Sequence, residues 1–155
     1  METSRKQETG LKEEQKWERI ALGVWKVRFG TPSAYTPTAH RSNEIKTEAL
    51  SVLSAEQGAE PQLPFGTDDV NIKQTTRGIV VTLPMNTSED IFGFGLQLQS
   101  VNAAGRKRYI KVNSDPKMDT GESHAPVPFY VSTAGYGLFV DTYRYATFYL
   151  SLIHI

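Results

Sequence analysis

Residues 123–142 read SHAPVPFYVSTAGYGLFVDT. The stretch holds two apolar runs, 128–132 and 136–141, joined by a Ser-Thr-Ala-Gly link that turns at Ala134-Gly135. Apolar runs of strand length around a short glycine-containing link predict an antiparallel hairpin. Directly upstream, residues 113–122 read NSDPKMDTGE and offer almost nothing to bury. A long polar loop set against the best hairpin in the chain predicts a scaffold whose loop reaches something outside the domain.

Working outward, the same two-residue period recurs. In GVWKVRFG (23–30), Trp25, Val27 and Phe29 alternate with Lys26 and Arg28, and Gly30 and Pro32 stop the run. In GIVVTLP (78–84), Ile79, Val81 and Leu83 share one face before Pro84 ends it. This alternation is the mark of a half-buried strand. Residues 90–115 predict two strands around a turn at Asn102–Gly105, the second placing Arg108, Ile110 and Val112 on one side and Lys107, Tyr109 and Lys111 on the other. YATFYL (145–150) predicts a final strand, while 31–43 and 59–69 read as loop. Residues 44–58 fit a short helix, with Ile45, Leu50 and Leu53 roughly in helical register, and fit a pair of strands almost as well. Recurrent strands with turn residues between them predict a mostly β chain, an antiparallel β-sandwich.

The totals narrow the function. The chain has 155 residues, enough for one domain with a real core. Lys+Arg and Asp+Glu are both 17, and this zero net charge argues against nucleic acid as a partner. With no cysteine there is no disulfide, no thiolate catalysis and no Cys-based zinc site. No run approaches the ~18 apolar residues of a membrane span, and the charged first 16 residues carry no signal-peptide core. The expectation is a cytoplasmic protein with a polar leader (1–16), a sandwich domain (17–149) and a tail (150–155). Because the chain stops within the apolar run TFYLSLIHI (147–155), that tail is expected to be truncated or non-native.

Several constellations read as structure. Gly93-Phe94-Gly95 lacks the third glycine of a dinucleotide site, so its glycines are expected to let a strand bend or pack closely. Arg106, Lys107, Arg108 and Lys111 read as a solvated hairpin rim. Asn86-Thr87-Ser88 fits a glycosylation sequon but reads as a turn. His40, His124 and His154 are too scattered for a metal site, and no cofactor is expected. Ser123 and His124, adjacent on an extended segment, point opposite ways and make a poor nucleophile–base pair. Asp115 and Asp119 are of greater interest, because a loop carboxylate either caps a turn, as before Pro116, or hydrogen-bonds sugar hydroxyls at a neighbouring site.

The segments DIFGFGLQLQS (90–100) and VNSDPKMDTGESHAPVPFYVSTAGYGLFVDTYRYATFY (112–149) resemble the N-terminal β-sandwich region of glycoside hydrolase family 31. The pattern is a GxG strand (Gly93–Gly95), an Asn/Asp loop (Asn113–Asp115), a PFY strand (Pro128–Tyr130) and a GYG strand ending at Asp141. The resemblance covers about residues 20–149 and is specific from Phe92 to Tyr149. It implies a galactose-mutarotase-like sandwich that packs on a catalytic (β/α)8 barrel absent from this sequence. By the same resemblance, the intact enzyme is a retaining α-glycosidase without metal or organic cofactor, and its catalytic aspartates lie on the barrel. It further implies that the loop before the PFY strand contacts the sugar, with Asp115 as the matching residue and Asp119, Ser123 and His124 as neighbours. The expected partners are an α-linked oligosaccharide and the barrel. The alternatives are a free-standing carbohydrate-binding sandwich, using exposed tyrosines among Tyr136, Tyr143, Tyr145 and Tyr149, and a plain interaction module.

Overall fold

The computed structural model describes residues 15–29, 35–41, 61–97, 100–114 and 122–151. Among the described residues nine strands dominate: β1 (Lys16–Ala21), β2 (Val24–Arg28), β3 (Asn71–Thr75), β4 (Gly78–Thr82), β5 (Ile91–Gly95), β6 (Lys107–Ile110), β7 (Pro126–Ser132), β8 (Tyr136–Phe139) and β9 (Ala146–Tyr149). All strand pairs are antiparallel: the β1–β2 and β3–β4 hairpins, a β5–β7–β8 sheet and a β6–β9 sheet. The last two sheets share one core of Ile91, Phe94, Ala103, Ile110, Tyr130, Tyr136 and Leu150, with Leu63, Phe65 and Phe148 packed against it. The fold is the expected antiparallel β-sandwich. Among the described residues, no helix is long and apolar enough to cross a membrane.

The β7–β8 hairpin forms where the sequence places it, with Phe129 opposite Phe139 and Ser132 opposite Tyr136. Gly135 closes its turn by donating to the Ser132 carbonyl at 3.0 Å. Alternation then sorts the side chains. Tyr130, Ser132 and Tyr136 face the core, while Val127, Phe129, Val131 and Phe139 remain exposed.

Strand β5 shows why two glycines flank Phe94. The pairing register slips between Gly93 and Gly95, and Phe94 adopts φ 66°, the left-handed conformation rare for a bulky residue. The bulge turns the ring of Phe94, which simple alternation would place beside half-buried Phe92, into full burial. There it meets Phe148 at 5.0 Å and Tyr130 at 5.6 Å between ring centroids. The glycines allow close approach of β7, as expected from the sequence.

Polar contacts fix the strand ends. Buried Glu89 accepts hydrogen bonds from the Asn86 amide (2.7 Å), the Ser132 hydroxyl (2.7 Å) and the Tyr136 hydroxyl (3.3 Å), tying the turn at 86–89 to the hairpin. Asn86-Thr87-Ser88 is thus a turn, closed by the Glu89 amide donating to the Asn86 carbonyl. Burial raises the titration of the Tyr136 hydroxyl, and the Glu89 carboxylate adds to the effect. Burial does the same to Tyr130, next to Tyr136.

Four sequence expectations change. First, β5 and β6 do not form a hairpin: β5 pairs with β7 and β6 with β9. The Asn102 carboxamide intervenes, accepting from the Ile91 and Ala104 amides and donating to Asp90. Leu150 and Gly105 then draw the chain toward β9 through a backbone bond of 2.7 Å. Second, β5 ends at Gly95 instead of running on through Leu96 and Gln97. Third, Arg108 is not on a solvated rim. Its residue is 0 % exposed, because alternation on β6 directs it inward with Ile110, and its guanidinium donates to the Ser100 carbonyl at 3.3 Å. Val112 on the same register is exposed, since the strand has ended. Fourth, residues 37–41 within the expected loop form one short helix, α1 (Pro37–Arg41). Proline at its first position and the Thr36 oxygens accepting the Ala39 amide explain it. Strands β1 and β3 had no sequence assignment, and the ambiguous segment 44–58 lies outside the described residues.

The helix is tied to the far end of the sequence. The Thr38 amide (3.1 Å) and hydroxyl both donate to the Asp141 carboxylate, just after β8. Burial pushes the Asp141 carboxyl up, but Thr38, Thr36 and the Lys26 ammonium outweigh it and hold the carboxyl below its ordinary range. A depressed carboxyl stabilises the fold above the unfolded-state value of about 4, and that contribution disappears as pH falls through this value and then the folded one. Asp141→Asn is expected to lower the melting temperature near pH 7 and to converge with the parent in acid, once the carboxyl of the folded protein is protonated. A difference that stays constant across that range would show that the carboxylate charge contributes nothing.

Candidate functional site at the base of a polar loop

The loop between β6 and β7 is built on its base. Val112 and Ser123 form an isolated parallel bridge, in which the Asn113 amide donates to the Ser123 carbonyl (2.9 Å) and the Ser123 amide to the Lys111 carbonyl (3.4 Å). Because the bridge is parallel, the two segments run in the same direction, and it pins the residues that flank the loop to each other. Side chains reinforce the pinch: the Asn113 carboxamide donates to Glu122 at 2.8 Å, and the Lys111 ammonium lies 3.9 Å from the other Glu122 oxygen. Half of the Lys111 side chain is exposed, so this ion pair is worth well under about 1 kcal/mol and serves mainly to orient Glu122.

Of the residues expected at the site, His124 is described and Asp115 and Asp119 lie outside the described residues. His124 is exposed, whereas Ser123 is 1 % exposed. The two side chains leave the backbone in opposite directions, as their adjacency on an extended segment requires, and make no nucleophile–base pair. The Ser123 hydroxyl has no hydrogen-bond partner among the described residues. At the end of β5, Gly93, Gly95, Leu96, Gln97 and Val101 line an open depression of about 310 Å³. Among the described residues, no three His, Asp or Glu side chains converge as metal ligands do.

The tyrosines divide. Tyr136 is buried in the core, while Tyr143, Tyr145 and Tyr149 are exposed. Sequence reasoning names Asn113 only as the start of the Asn/Asp loop and does not name Glu122, its partner in the clamp. Their separation of nine residues across a polar loop carries no periodic signal.

A sandwich with this strand order, a GxG bulge at β5 and a clamped loop ahead of β7 can be compared with known families. Residues 3–148 match the family model of the glycosyl hydrolase 31 N-terminal galactose mutarotase-like domain. The chain belongs to this family. No curated protein matches it. As a glycosyl hydrolase 31 N-terminal domain, the chain is a β-sandwich of a glycoside hydrolase, and the match extends the resemblance read over about residues 20–149 toward the N-terminus, through β1. Within this domain, the GxG motif is a structural bulge and the PFY motif is the middle of β7.

Proposed function

We propose that this chain is the N-terminal sandwich of a retaining α-glycosidase that hydrolyses terminal α-linked sugars. In this reading it supports a catalytic barrel and lends the 113–124 loop to the sugar site. The clamped base of the loop is the observation that carries it. A side chain that serves a site built by another domain must be projected from a fixed origin, and the Val112–Ser123 bridge with the Asn113–Glu122 bond supplies one. The loop is also mostly polar and carries Asp115 and Asp119, which suits hydrogen bonding to sugar hydroxyls. Retaining hydrolysis needs two carboxyl groups about 5–5.5 Å apart, one attacking and one protonating the leaving oxygen. We assign both to the barrel. Asp115 acts as a binding residue, with Asp119 and His124 beside it.

The 155-residue chain is therefore expected to show no turnover of aryl α-glucosides or α-xylosides. In the intact enzyme, Asp115→Asn removes a charge-assisted hydrogen bond worth about 1.5–3 kcal/mol and is expected to reduce kcat/KM by roughly 10- to 100-fold, mainly through KM. Turnover by the chain alone that Asp115→Asn abolishes would overturn the assignment of catalysis to the barrel.

A further inference from the structure

The outward face of the β7–β8 hairpin is apolar. Alternation turns Tyr130, Ser132 and Tyr136 into the core and leaves Val127, Phe129, Val131 and Phe139 outside, each 41–42 % exposed. The ladder sets Phe129 opposite Phe139 and Val131 opposite Gly137. The edge of the Phe129 ring reaches over Gly137, 3.3 Å from where a Cβ there would stand. Neither strand carries a charged residue. A contiguous apolar patch on a sheet face calls for something to cover it.

Two contacts indicate what passes there. Thr38 of α1 donates to Asp141, two residues beyond Phe139, so the chain that leaves α1 starts at the C-terminal end of β8. It returns at the opposite end, where Phe65 meets Tyr136, the first residue of β8, edge-on at 5.1 Å. Between these anchors the chain travels the length of β8, about 13 Å for four residues of strand. One edge of β8 is taken by β7 and its inward face by the core, which leaves the other edge and the outward face. Residues 42–60 could extend to about 60 Å, ample length to lie across that face. Their composition suits it: within SNEIKTEALSVLSAEQGAE the large apolar residues are Ile45, Leu50, Val52 and Leu53, gathered in one short stretch among polar and acidic neighbours.

We infer that residues 45–53 of the same chain are the occupant of this patch, packing Ile45, Leu50, Val52 and Leu53 on Val127, Phe129, Val131 and Phe139. Burial of apolar surface drives the contact. Attachment at both ends of β8 makes it intramolecular, so the segment sees the face at an effective concentration in the millimolar range or above. A second copy of the chain is the competing occupant, and it meets the face only at its bulk concentration. A face covered in this way is not available to the catalytic barrel proposed above, which then packs elsewhere on the sandwich. The inference does not depend on the α-glycosidase reading, because it uses neither the 113–124 loop nor a sugar.

Because the chain has no cysteine, introduced thiols report proximity without background. In the full chain, Leu50→Cys is combined in turn with Phe129→Cys, Val131→Cys and Phe139→Cys. Leu50→Cys with Val80→Cys, at an exposed apolar residue of β4, is the control. A short bismaleimide is expected to join at least one of the first three pairs within a single chain about tenfold faster than the control pair, and urea should erase the difference. Equal rates for all four pairs overturn the inference. Linkage mainly between two chains, seen as a product of twice the mass, overturns it in favour of a second copy. Leu50→Asp combined with Leu53→Asp gives an independent reading. This variant should bind several times more of the dye anilinonaphthalene sulfonate than the parent, with the far-ultraviolet circular dichroism of the strands retained. Equal dye binding by the two proteins would also overturn the inference, and either failure leaves the α-glycosidase reading standing.

Discussion

Gly95→Ala is expected to lower the melting temperature of the chain by roughly 10 °C, the largest effect of any single methyl group added to it. A Cβ at Gly95 would lie 2.2 Å from the Ala125 carbonyl oxygen and 2.9 Å from the Val127 nitrogen. Both obstacles are backbone, so no side chain can swing away. The residue also sits at φ +79°, where an L side chain is strained. Strain of about 1–3 kcal/mol and overpacking of about 1–3 kcal/mol combine. In a domain of this size each kcal/mol moves the midpoint by about 2–4 °C. Gly135→Ala separates the two causes: its φ is +86°, yet a Cβ there meets nothing within 4 Å. It should cost only the conformational part, a few degrees. Equal losses in the two variants would show that β5 and β7 are not in the close contact described.

Phe94→Ala is expected to cost about 3–5 kcal/mol, or roughly 6–20 °C of melting temperature. Phe94 is fully buried and its ring joins those of Tyr130 and Phe148. Tyr130 passes the contact on to Tyr136, and Tyr136 to Phe65 at 5.1 Å. The cavity opens where the two sheets meet, so relaxation on one side alone cannot fill it. Phe94→Gly offers a sharper test. It removes the same ring but relieves the φ of 66°, and is expected to be no worse than alanine, against the usual penalty for glycine in a strand. Glycine clearly worse than alanine would contradict the left-handed backbone. Chemical denaturation of the three proteins, read by tyrosine and tryptophan fluorescence, measures both comparisons.

The sequence makes some elements legible and not others for identifiable reasons. The β7–β8 hairpin, β4 and β2 are visible because each is bounded by glycine or proline, and β9 because it alternates, so local pattern and tertiary pairing agree. Strand β1, KWERIA, is hidden because its residues are mostly exposed and it borrows order from β2. Strand β3 is hidden for the same reason, with only Ile72 buried. The β5–β6 hairpin was misread because strands adjacent in sequence usually pair, and here a single carboxamide, that of Asn102, diverts the chain. Arg108 was misplaced by its charge, although its register with Ile110 pointed inward. At the candidate site, the polarity of the loop was legible from composition. Its clamp was not, since Asn113 and Glu122 meet only once Val112 and Ser123 have bridged.

The core cluster includes Ile91 at one extreme and Leu150 at the other, and β6 waits for β9 as its partner. During synthesis the hairpins β1–β2 and β3–β4 are complete soon after leaving the ribosome, but the interior cannot close until the final strand emerges. At about 5–20 residues per second, the roughly 60 residues between those two side chains take about 3–12 s to appear. For that interval the nascent chain displays Ile91, Phe94 and their neighbours to solvent or to a chaperone, so its yield in a cell depends on how fast β9 is translated.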